Sequence, residues 1–261
     1  MKPIAREWSH LRELLRKETP VLFLDFDGTL SPIVPKVDKA SLPKENKRLL
    51  KLLCKIFKGR VAIVSGRALK DLRRKVGLKD IIYVGNHGLE IEGPHIHFKF
   101  PGVARGKKVL KRLKKELHRE LKNIYGIFLE DKGLTMSLHY RMVKAKDIPF
   151  VQRAFKKIAR SYLSRKKIKV NTGKKVFEIK PPVDWDKGRA VLWVMRHLGR
   201  KKKKLFPIYV GDDTTDEDAF AAIKKNGLGV AVGNARASKA RFFVKNQKEV
   251  TWLLKRLAEL N

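Results

Sequence analysis

The chain has 261 residues, with 62 Lys and Arg against 26 Asp and Glu, a net charge of +36 and a hydrophobic content of 43%. This length and composition are typical of a globular protein with one or two domains and exclude a disordered chain. The apolar runs are short and interrupted, and the charged first 18 residues lack a signal-peptide apolar segment, so we expect no transmembrane helix. Cys54 is the only cysteine, so no internal disulfide can form, and we expect a cytoplasmic protein.

The excess of positive charge has two interpretations. It could attract a polyanion such as nucleic acid, an anionic membrane or a charged substrate, or it could be the solvated lysine-rich surface of a protein from a hot environment. The basic run 107–122 has apolar residues at helical spacing, and the run 200–204 follows Gly199 in a predicted loop. Neither run has the interleaved aromatic residues of a single-strand binding platform. We therefore favour the surface interpretation and expect neither a nucleic-acid nor a membrane partner.

Short apolar, β-branched runs alternate with helical patterns along most of the chain, as in a parallel sheet covered by helices on both faces. The predicted strands are 21–26, 61–65, 81–85, 207–211, 228–233 and 242–244. The predicted helices are 42–57, with Pro43 in its first turn, 68–76, 187–199, with Gly199 at its end, and 216–225. The sequence therefore predicts an α/β protein with a doubly wound, Rossmann-like parallel sheet at its core.

The middle of the chain follows a different order. A hairpin pattern at 89–100 precedes a helix that ends near residue 123, and the order helix, strand, strand then occurs twice up to Lys180. Such a repeat is typical of a small antiparallel sheet with helices on one face. We therefore predict that residues 1–101 and 180–261 form the core and that residues 102–179 form a smaller, inserted α+β domain.

Polar side chains gather where the predicted core strands end and where one predicted helix begins. They are Asp25 with Asp27, Ser65, Asp212 with Asp213, and Lys187. In an open α/β sheet, ligands bind outside the carboxyl ends of the strands. We therefore expect these carboxylates, the hydroxyl and the ammonium group to converge on one edge of the sheet.

Such a set of groups suits the transfer of a phosphoryl group. Several carboxylates form a hard-oxygen site for Mg²⁺, and with the metal bound one of them can attack a phosphate to give an aspartyl-phosphate intermediate. A second carboxylate two residues away can protonate the leaving alcohol and then deprotonate water. Lys187 and the Ser65 hydroxyl could hold phosphate oxygens. The pattern therefore indicates a metal-assisted phosphatase.

Four segments resemble, in order and spacing, the motifs of the haloacid dehalogenase-like (HAD) phosphatases. They are DFDGTL (25–30), VAIVSGR (61–67), VDWDKGRA (183–190) and YVGDDTTDEDAF (209–220). Three further segments resemble the narrower trehalose-6-phosphate phosphatase family. They are YVGNHGLEI (83–91), FLEDKGLTMSLHYR (128–141) and FEIKPPVDWDKG (177–188). The resemblance runs from about Val21 to Phe220, which is most of the chain.

This resemblance implies hydrolysis of trehalose 6-phosphate to trehalose and phosphate, with a role for each matching residue. Asp25 would be the nucleophile and Asp27 the general acid/base. Ser65 and Lys187 would bind the transferring phosphate. The implied ligands of Mg²⁺ are Asp25, the backbone carbonyl of Asp27 and Asp212, with Asp213 and Asp216 alongside.

The resemblance also implies that the inserted domain is a mobile cap, which closes over the sugar and excludes water. Its sugar contacts would be Glu130, Lys132 and Glu178. The implied contacts on the core side are Arg67, Asn86 and His87. In the alternative interpretation, Glu130 and Lys132 form an exposed ion pair and His87 is a turn residue.

The sequence leaves other functions open. A phosphatase for sucrose phosphate, mannosyl-3-phosphoglycerate or another phosphosugar would keep the four motifs and differ in the cap. A nucleic-acid-binding protein, or a phosphatase for nucleic-acid ends, would account for the charge of +36. The chain could also associate with a trehalose-phosphate synthase on another chain; otherwise we expect a monomer.

Overall fold

A computed structural model describes residues 1–173, 175–199, 204–233 and 237–260. Its contacts divide the chain into two compact units, a larger one made of Met1–Lys99 and Trp185–Asn261 and a smaller one made of Phe100–Asp184. The predicted boundaries at 101–102 and 179–180, as the limits of folding domains, stay a prediction. Residues 200–203 of the basic run lie outside the described residues.

Within the described residues the chain forms thirteen strands and eight α-helices. The strands are β1 (Lys2–Pro3), β2 (Thr19–Asp25), β3 (Val61–Val64), β4 (Ile82–Gly85), β5 (Glu90–Gly93), β6 (Ile96–Lys99), β7 (Phe128–Asp131), β8 (Met136–His139), β9 (Lys169–Gly173), β10 (Val176–Lys180), β11 (Leu205–Gly211), β12 (Leu228–Val232) and β13 (Phe242–Val244). The helices are α1 (Trp8–Lys17), α2 (Lys44–Ile56), α3 (Leu69–Val76), α4 (Val103–Leu121), α5 (Ile148–Ser164), α6 (Lys187–Leu198), α7 (Asp216–Ile223) and α8 (Gln247–Ala258). The predicted core strands and helices are confirmed, with ends that move by one or two residues.

The larger unit is built on a sheet with the strand order β1-β13-β12-β11-β2-β3-β4-β5-β6. The strands from β1 to β4 in this order are parallel, which confirms the predicted sheet type. The hairpin of β5 and β6 then continues the sheet in antiparallel pairing from β4. The sequence predicts this hairpin but not its place in the main sheet, because strand pairing depends on partners far along the chain.

The helices of the larger unit differ from the sequence prediction in two ways. The terminal helices α1 and α8 were missed, although each buries apolar residues at helical spacing: Trp8, Leu11 and Leu15 in α1, and Val250, Leu253, Leu254 and Leu257 in α8. Pro43 precedes α2 at its N-cap and does not lie in the first turn. No helix among the described residues is both long enough and apolar enough to cross a bilayer.

The smaller unit is a four-stranded antiparallel sheet with the order β7-β8-β10-β9. Leu113 and Leu117 of α4 and Phe155 of α5 belong to the same buried cluster as Leu138 and Phe177 of the sheet. Because side chains alternate between the two faces of a strand, the positions next to Leu138 and Phe177 lie on the opposite face. The predicted α+β arrangement is confirmed, and the opposite face of its sheet carries the polar residues Glu130, Ser137 and Glu178.

Candidate active site

The first acidic segment lies at the carboxyl edge of the parallel sheet. Asp25 ends β2, between β3 and β11, and its side chain is buried. The chain then turns at Gly28, which has a φ of +94°, and a Cβ atom at this glycine would overlap the Asp212 carboxylate. Glycine at position 28 therefore lets the loop after β2 approach the loop after β11 closely.

Three carboxylates meet at this edge. Asp25, Asp212 and Asp216 each offer an oxygen, and these oxygens lie within 4.8 Å of one another. All three donors are hard oxygens, the ligands that Mg²⁺ prefers, so the donor set fits this metal. The side chain of Asp213, a predicted ligand, is exposed and accepts a hydrogen bond from the Thr214 backbone at 2.7 Å. Asp216, which the resemblance implied alongside the ligands, therefore belongs to the cluster, while a role for Asp213 at the metal stays a prediction.

Lys187 enters this cluster from the first turn of α6. Its Nζ lies 2.8 Å from Asp25 Oδ1 and 2.6 Å from Asp216 Oδ1, and its side chain is only 2% exposed. The next residue is Gly188, where a Cβ atom would overlap the Asp218 carbonyl oxygen of α7. Close approach of α6 to α7 at this glycine therefore brings Lys187 to Asp216.

Asp216 is fully buried, and both of its oxygens accept hydrogen bonds. Besides Lys187, its Oδ1 accepts from the Tyr209 hydroxyl at 2.6 Å, and its Oδ2 accepts from the Asp213 backbone N–H at 2.9 Å. Tyr209 was missed from the sequence because it lies in the apolar run of β11, where a tyrosine is read as a core residue. Its ring is buried as expected, but its hydroxyl is part of the site.

Burial and charge shift the pKa values of these groups. Desolvation raises the pKa of Asp25 well above its usual value; Lys187 opposes this shift, and the nearby Asp216 and Asp212 add to it. Burial alone would lower the pKa of Lys187, but Asp216 and Asp25 raise it well above its usual value. The neighbouring carboxylates therefore favour the charged form of Lys187.

Asp27 is held by a buried arginine. Arg67 Nε lies 2.7 Å from Asp27 Oδ2, and Arg67 Nη2 lies 2.6 Å from Asp27 Oδ1. The same guanidinium donates to Asp71 Oδ2 at 2.8 Å and to the Val37 carbonyl at 2.9 Å. Arg67 is 3% exposed, whereas the Asp27 side chain is 39% exposed. Arg67, whose predicted role as a substrate contact stays a prediction, thus holds both oxygens of the Asp27 carboxylate.

The other predicted core residues follow β3 and β4. Ser65 is buried, and its Oγ accepts the Arg67 backbone N–H at 3.2 Å. Asn86 and His87 have φ values of 50° and 57°, so His87 lies in a turn as the alternative interpretation expected. Asn86 is fully buried and donates to Glu90 Oε2 at 2.8 Å, while the His87 N–H donates to the Ser65 carbonyl at 3.0 Å. These contacts hold the turn after β4 against the loop after β3.

In the smaller unit, a polar row crosses the sheet on the face opposite Leu138 and Phe177. Ser137 of β8 pairs directly with Glu130 of β7 on one side and with Glu178 of β10 on the other. The Ser137 hydroxyl donates to Glu178 Oε1 at 3.1 Å. Two of the predicted sugar contacts are therefore direct neighbours of one serine that the sequence prediction left out.

Lys132 follows the end of β7 and completes this row. Its Nζ lies 3.8 Å from Glu130 Oε2 and 3.5 Å from Glu178 Oε1, and its side chain is 5% exposed. His139 Nε2 lies 2.8 Å from Glu130 Oε2. The alternative of an exposed ion pair is therefore wrong, because Lys132 is buried between two carboxylates. The alternation of polar and apolar residues along β8 was the signal for Ser137 and His139.

Comparisons with known proteins bear on this arrangement. A protein-family model described as trehalose-phosphatase matches residues 23–248. The trehalose-phosphate phosphatase of Mycobacterium tuberculosis is 36% identical over 263 residues, which cover 98% of this chain and 66% of that protein. Trehalose-phosphate phosphatase B of Arabidopsis thaliana is 33% identical over 252 residues, which cover 92% of this chain and 66% of that protein. The chain thus spans 66% of the length of these curated relatives.

Solved structures agree with the family match. The crystal structure of a trehalose-6-phosphate phosphatase related protein has a TM-score of 0.77 and 27% identity, and the match covers 92% of this chain and 97% of that one. The C-terminal domain of C. albicans trehalose-6-phosphate phosphatase shares the fold, with a TM-score of 0.81 at 21% identity over 96% of this chain and 97% of that one. The chain belongs to the trehalose-phosphatase family.

Proposed function

We propose that this chain is a Mg²⁺-dependent phosphatase that hydrolyses trehalose 6-phosphate to trehalose and phosphate. The observation that carries this proposal is the buried cluster in which Lys187 contacts Asp25 and Asp216 and in which Asp212 completes a set of three carboxylates. Membership of the trehalose-phosphatase family supports the choice of substrate.

In this proposal Asp25, Asp212 and Asp216 hold Mg²⁺. When bound, the metal offsets the negative charge of the carboxylates and of the phosphate. Lys187 provides a second positive charge and binds an oxygen of the transferring phosphate. The Ser65 hydroxyl accepts the Arg67 backbone N–H, and its own hydrogen can be donated to another phosphate oxygen.

The reaction proceeds in two steps. An oxygen of Asp25 attacks phosphorus, the bond from phosphorus to the sugar oxygen breaks, and Asp27 gives its proton to the leaving oxygen. Water then attacks phosphorus of the aspartyl phosphate while Asp27 takes a proton from that water. The bond between phosphorus and Asp25 breaks, and phosphate leaves. Asp27 returns to its protonated form, so the two steps balance.

Arg67 acts through Asp27 in this scheme, and its substitution has a distinct kinetic signature. Lysine cannot form two parallel bonds to a carboxylate, so Arg67→Lys leaves Asp27 poorly oriented. We expect kcat to fall by about 10²-fold, the contribution of a general acid/base, and KM to stay within about twofold. Arg74→Lys, at an exposed position of α3, is the matched control. A higher KM at unchanged kcat would instead make Arg67 a substrate contact.

We also propose that the smaller unit is the mobile cap of this family and that Glu130, Lys132 and Glu178 bind the sugar. Ionised carboxylates and a lysine ammonium are suitable partners for sugar hydroxyls, which both donate and accept hydrogen bonds. Their placement in one row, with Ser137 between the two glutamates, supports this role. A cytoplasmic location, a monomeric state and association with a synthase stay predictions from the sequence.

Substrate choice is the test of this assignment. We expect kcat/KM for trehalose 6-phosphate to exceed that for sucrose 6-phosphate, glucose 6-phosphate and mannosyl-3-phosphoglycerate. Glu130→Gln should lower kcat/KM for trehalose 6-phosphate by about 10- to 100-fold, the equivalent of one charge-assisted hydrogen bond, and leave hydrolysis of p-nitrophenyl phosphate unchanged. Asp131→Asn, half-exposed at the end of the same strand, is the matched control. Preference for another phosphosugar would be consistent with the proposed reaction steps but would contradict trehalose 6-phosphate as the substrate.

A further inference from the structure

A basic cavity lies in the larger unit, between α2 and the turn formed by residues 77–80 after α3. Its volume is about 770 Å³, which is in the range of small-molecule sites. Seven of its eleven lining residues are Lys or Arg, and Asp80 is its one acidic residue. Its lining residues include none of the carboxylates or cations of the site described above.

The cations of this cavity follow from the sequence of α2. Lys44, Arg48, Lys51 and Lys55 are spaced by four, three and four residues, so they form one row along the helix. Lys47 lies beside this row, and its Nζ is 3.1 Å from where a Cβ atom of Gly77 would be. The ammonium group of Lys47 therefore reaches from α2 to the opposite wall of the cavity.

The opposite wall is held in place by its own hydrogen bonds. Leu78 N–H donates to the Tyr83 hydroxyl oxygen at 3.1 Å, and that hydroxyl donates to the Leu78 carbonyl at 2.7 Å. Gly77 ends α3 in the left-handed region, with a φ of 61°, and its N–H donates to the Arg73 carbonyl at 2.8 Å. The cavity is therefore formed by fixed backbone on both sides.

The cavity carries more positive than negative charge, with seven cations against the single carboxylate of Asp80. In the described part of the chain, none of its seven cations forms an ion pair with a carboxylate. By contrast, Lys75 on the neighbouring α3 donates to the carbonyls of Asp38 and Ala40, and Arg74 pairs with Asp71. Like charges three and four residues apart on a helix repel each other, so a bound anion would relieve this repulsion.

We propose that this cavity binds a small polyphosphate, a chain of linked phosphate groups such as inorganic polyphosphate or the triphosphate of a nucleotide. Lysine ammonium groups are compact donors that suit phosphate oxygens, and a row of four cations matches a linear polyanion. The wall at residues 77–80 and the volume of about 770 Å³ favour a small ligand over a nucleic-acid duplex, which needs an open surface.

The test is titration calorimetry of the full chain with inorganic tripolyphosphate, in EDTA and at about 0.15 M salt, where non-specific charge attraction is screened. The triple variant Lys47→Ala/Lys51→Ala/Lys55→Ala should weaken binding by about tenfold or more. The matched control is Lys156→Ala/Lys157→Ala/Arg160→Ala, which removes the same charge from exposed positions of α5 and should change affinity by less than about twofold. The single variant Lys51→Gln provides a second, milder perturbation of the cavity.

Three results would overturn the proposal: no binding by the wild-type chain, equal weakening in the two triple variants, or tighter binding of a DNA duplex that the cavity variant removes. ATP distinguishes the two sources of ligand. If ATP binds with the same affinity as tripolyphosphate, only the phosphate chain is bound. If ATP binds more tightly, the nucleoside contributes to binding. Hydrolysis of trehalose 6-phosphate should be unchanged in the cavity variants, which also verifies that they fold.

Discussion

Replacing Asp25 with asparagine should lower phosphate release from trehalose 6-phosphate by at least about 10³-fold. An amide oxygen in this position cannot form the aspartyl phosphate, so the first bond-forming step is lost. The shape of the side chain is kept, and Lys187 keeps Asp216 as its ion-pair partner. We therefore expect the free energy of unfolding to change little. Steady-state phosphate release and urea unfolding measure the two effects separately.

The matched control for this variant is Asp38→Asn, the same substitution at an exposed residue of the larger unit. Its activity should stay within about twofold of the wild-type value. A folded Asp25→Asn protein that still releases phosphate at a comparable rate would contradict the covalent mechanism and leave Asp25 with a role in the metal site alone.

Replacing Lys187 with methionine should have the largest effect on stability. The substitution keeps the length of the side chain but leaves the buried carboxylates of Asp25 and Asp216 without their cation. Removal of one partner from a buried ion pair costs about 3–5 kcal/mol. We therefore expect the free energy of unfolding, measured by urea titration in EDTA, to fall by about this amount, together with a loss of activity.

A double-mutant cycle attributes this loss to the charges. In the Asp25→Asn background, Lys187→Met should lower the free energy of unfolding by less, because only one buried carboxylate, that of Asp216, then loses its cation. Arg196→Met, at an exposed position of the same helix, is the control for loss of a cation as such. An equal loss in both backgrounds would show that Lys187 stabilises the fold by packing and not by its charge.

The positions of the reactive groups could be predicted from the sequence because they depend on local order. Asp25, Ser65 and Lys187 each lie at the end of a strand or the start of a helix, and the alternation of strands and helices places these ends on one edge. The contacts of Arg67 could not be predicted, because they are with Asp27 and the Val37 carbonyl in two other segments. Only its ion pair with Asp71 had a local signal in the sequence, because the two residues are four positions apart.

Contacts between distant parts of the chain explain the other omissions. Gln247, the first residue of α8, donates to the Gly28 carbonyl in the loop after β2. Asn46 of α2 donates to the Leu30 carbonyl at 3.1 Å and accepts from the Thr251 hydroxyl at 2.8 Å. Residues more than 200 positions apart thus hold the loop after β2 in place. No periodicity in a single segment indicates such contacts, since they arise from packing of α2 and α8 together.

The most direct test of the central claim is phosphate release from trehalose 6-phosphate by the purified chain, first with Mg²⁺, then with excess EDTA, and then with Mg²⁺ restored. The carboxylates of Asp25, Asp212 and Asp216 predict release with Mg²⁺, a loss of at least about 10²-fold in EDTA, and full recovery when Mg²⁺ is added back. Release at an unchanged rate in EDTA would contradict the metal assignment. Absence of release under all three conditions, in a protein shown to be folded, would contradict the proposed function itself.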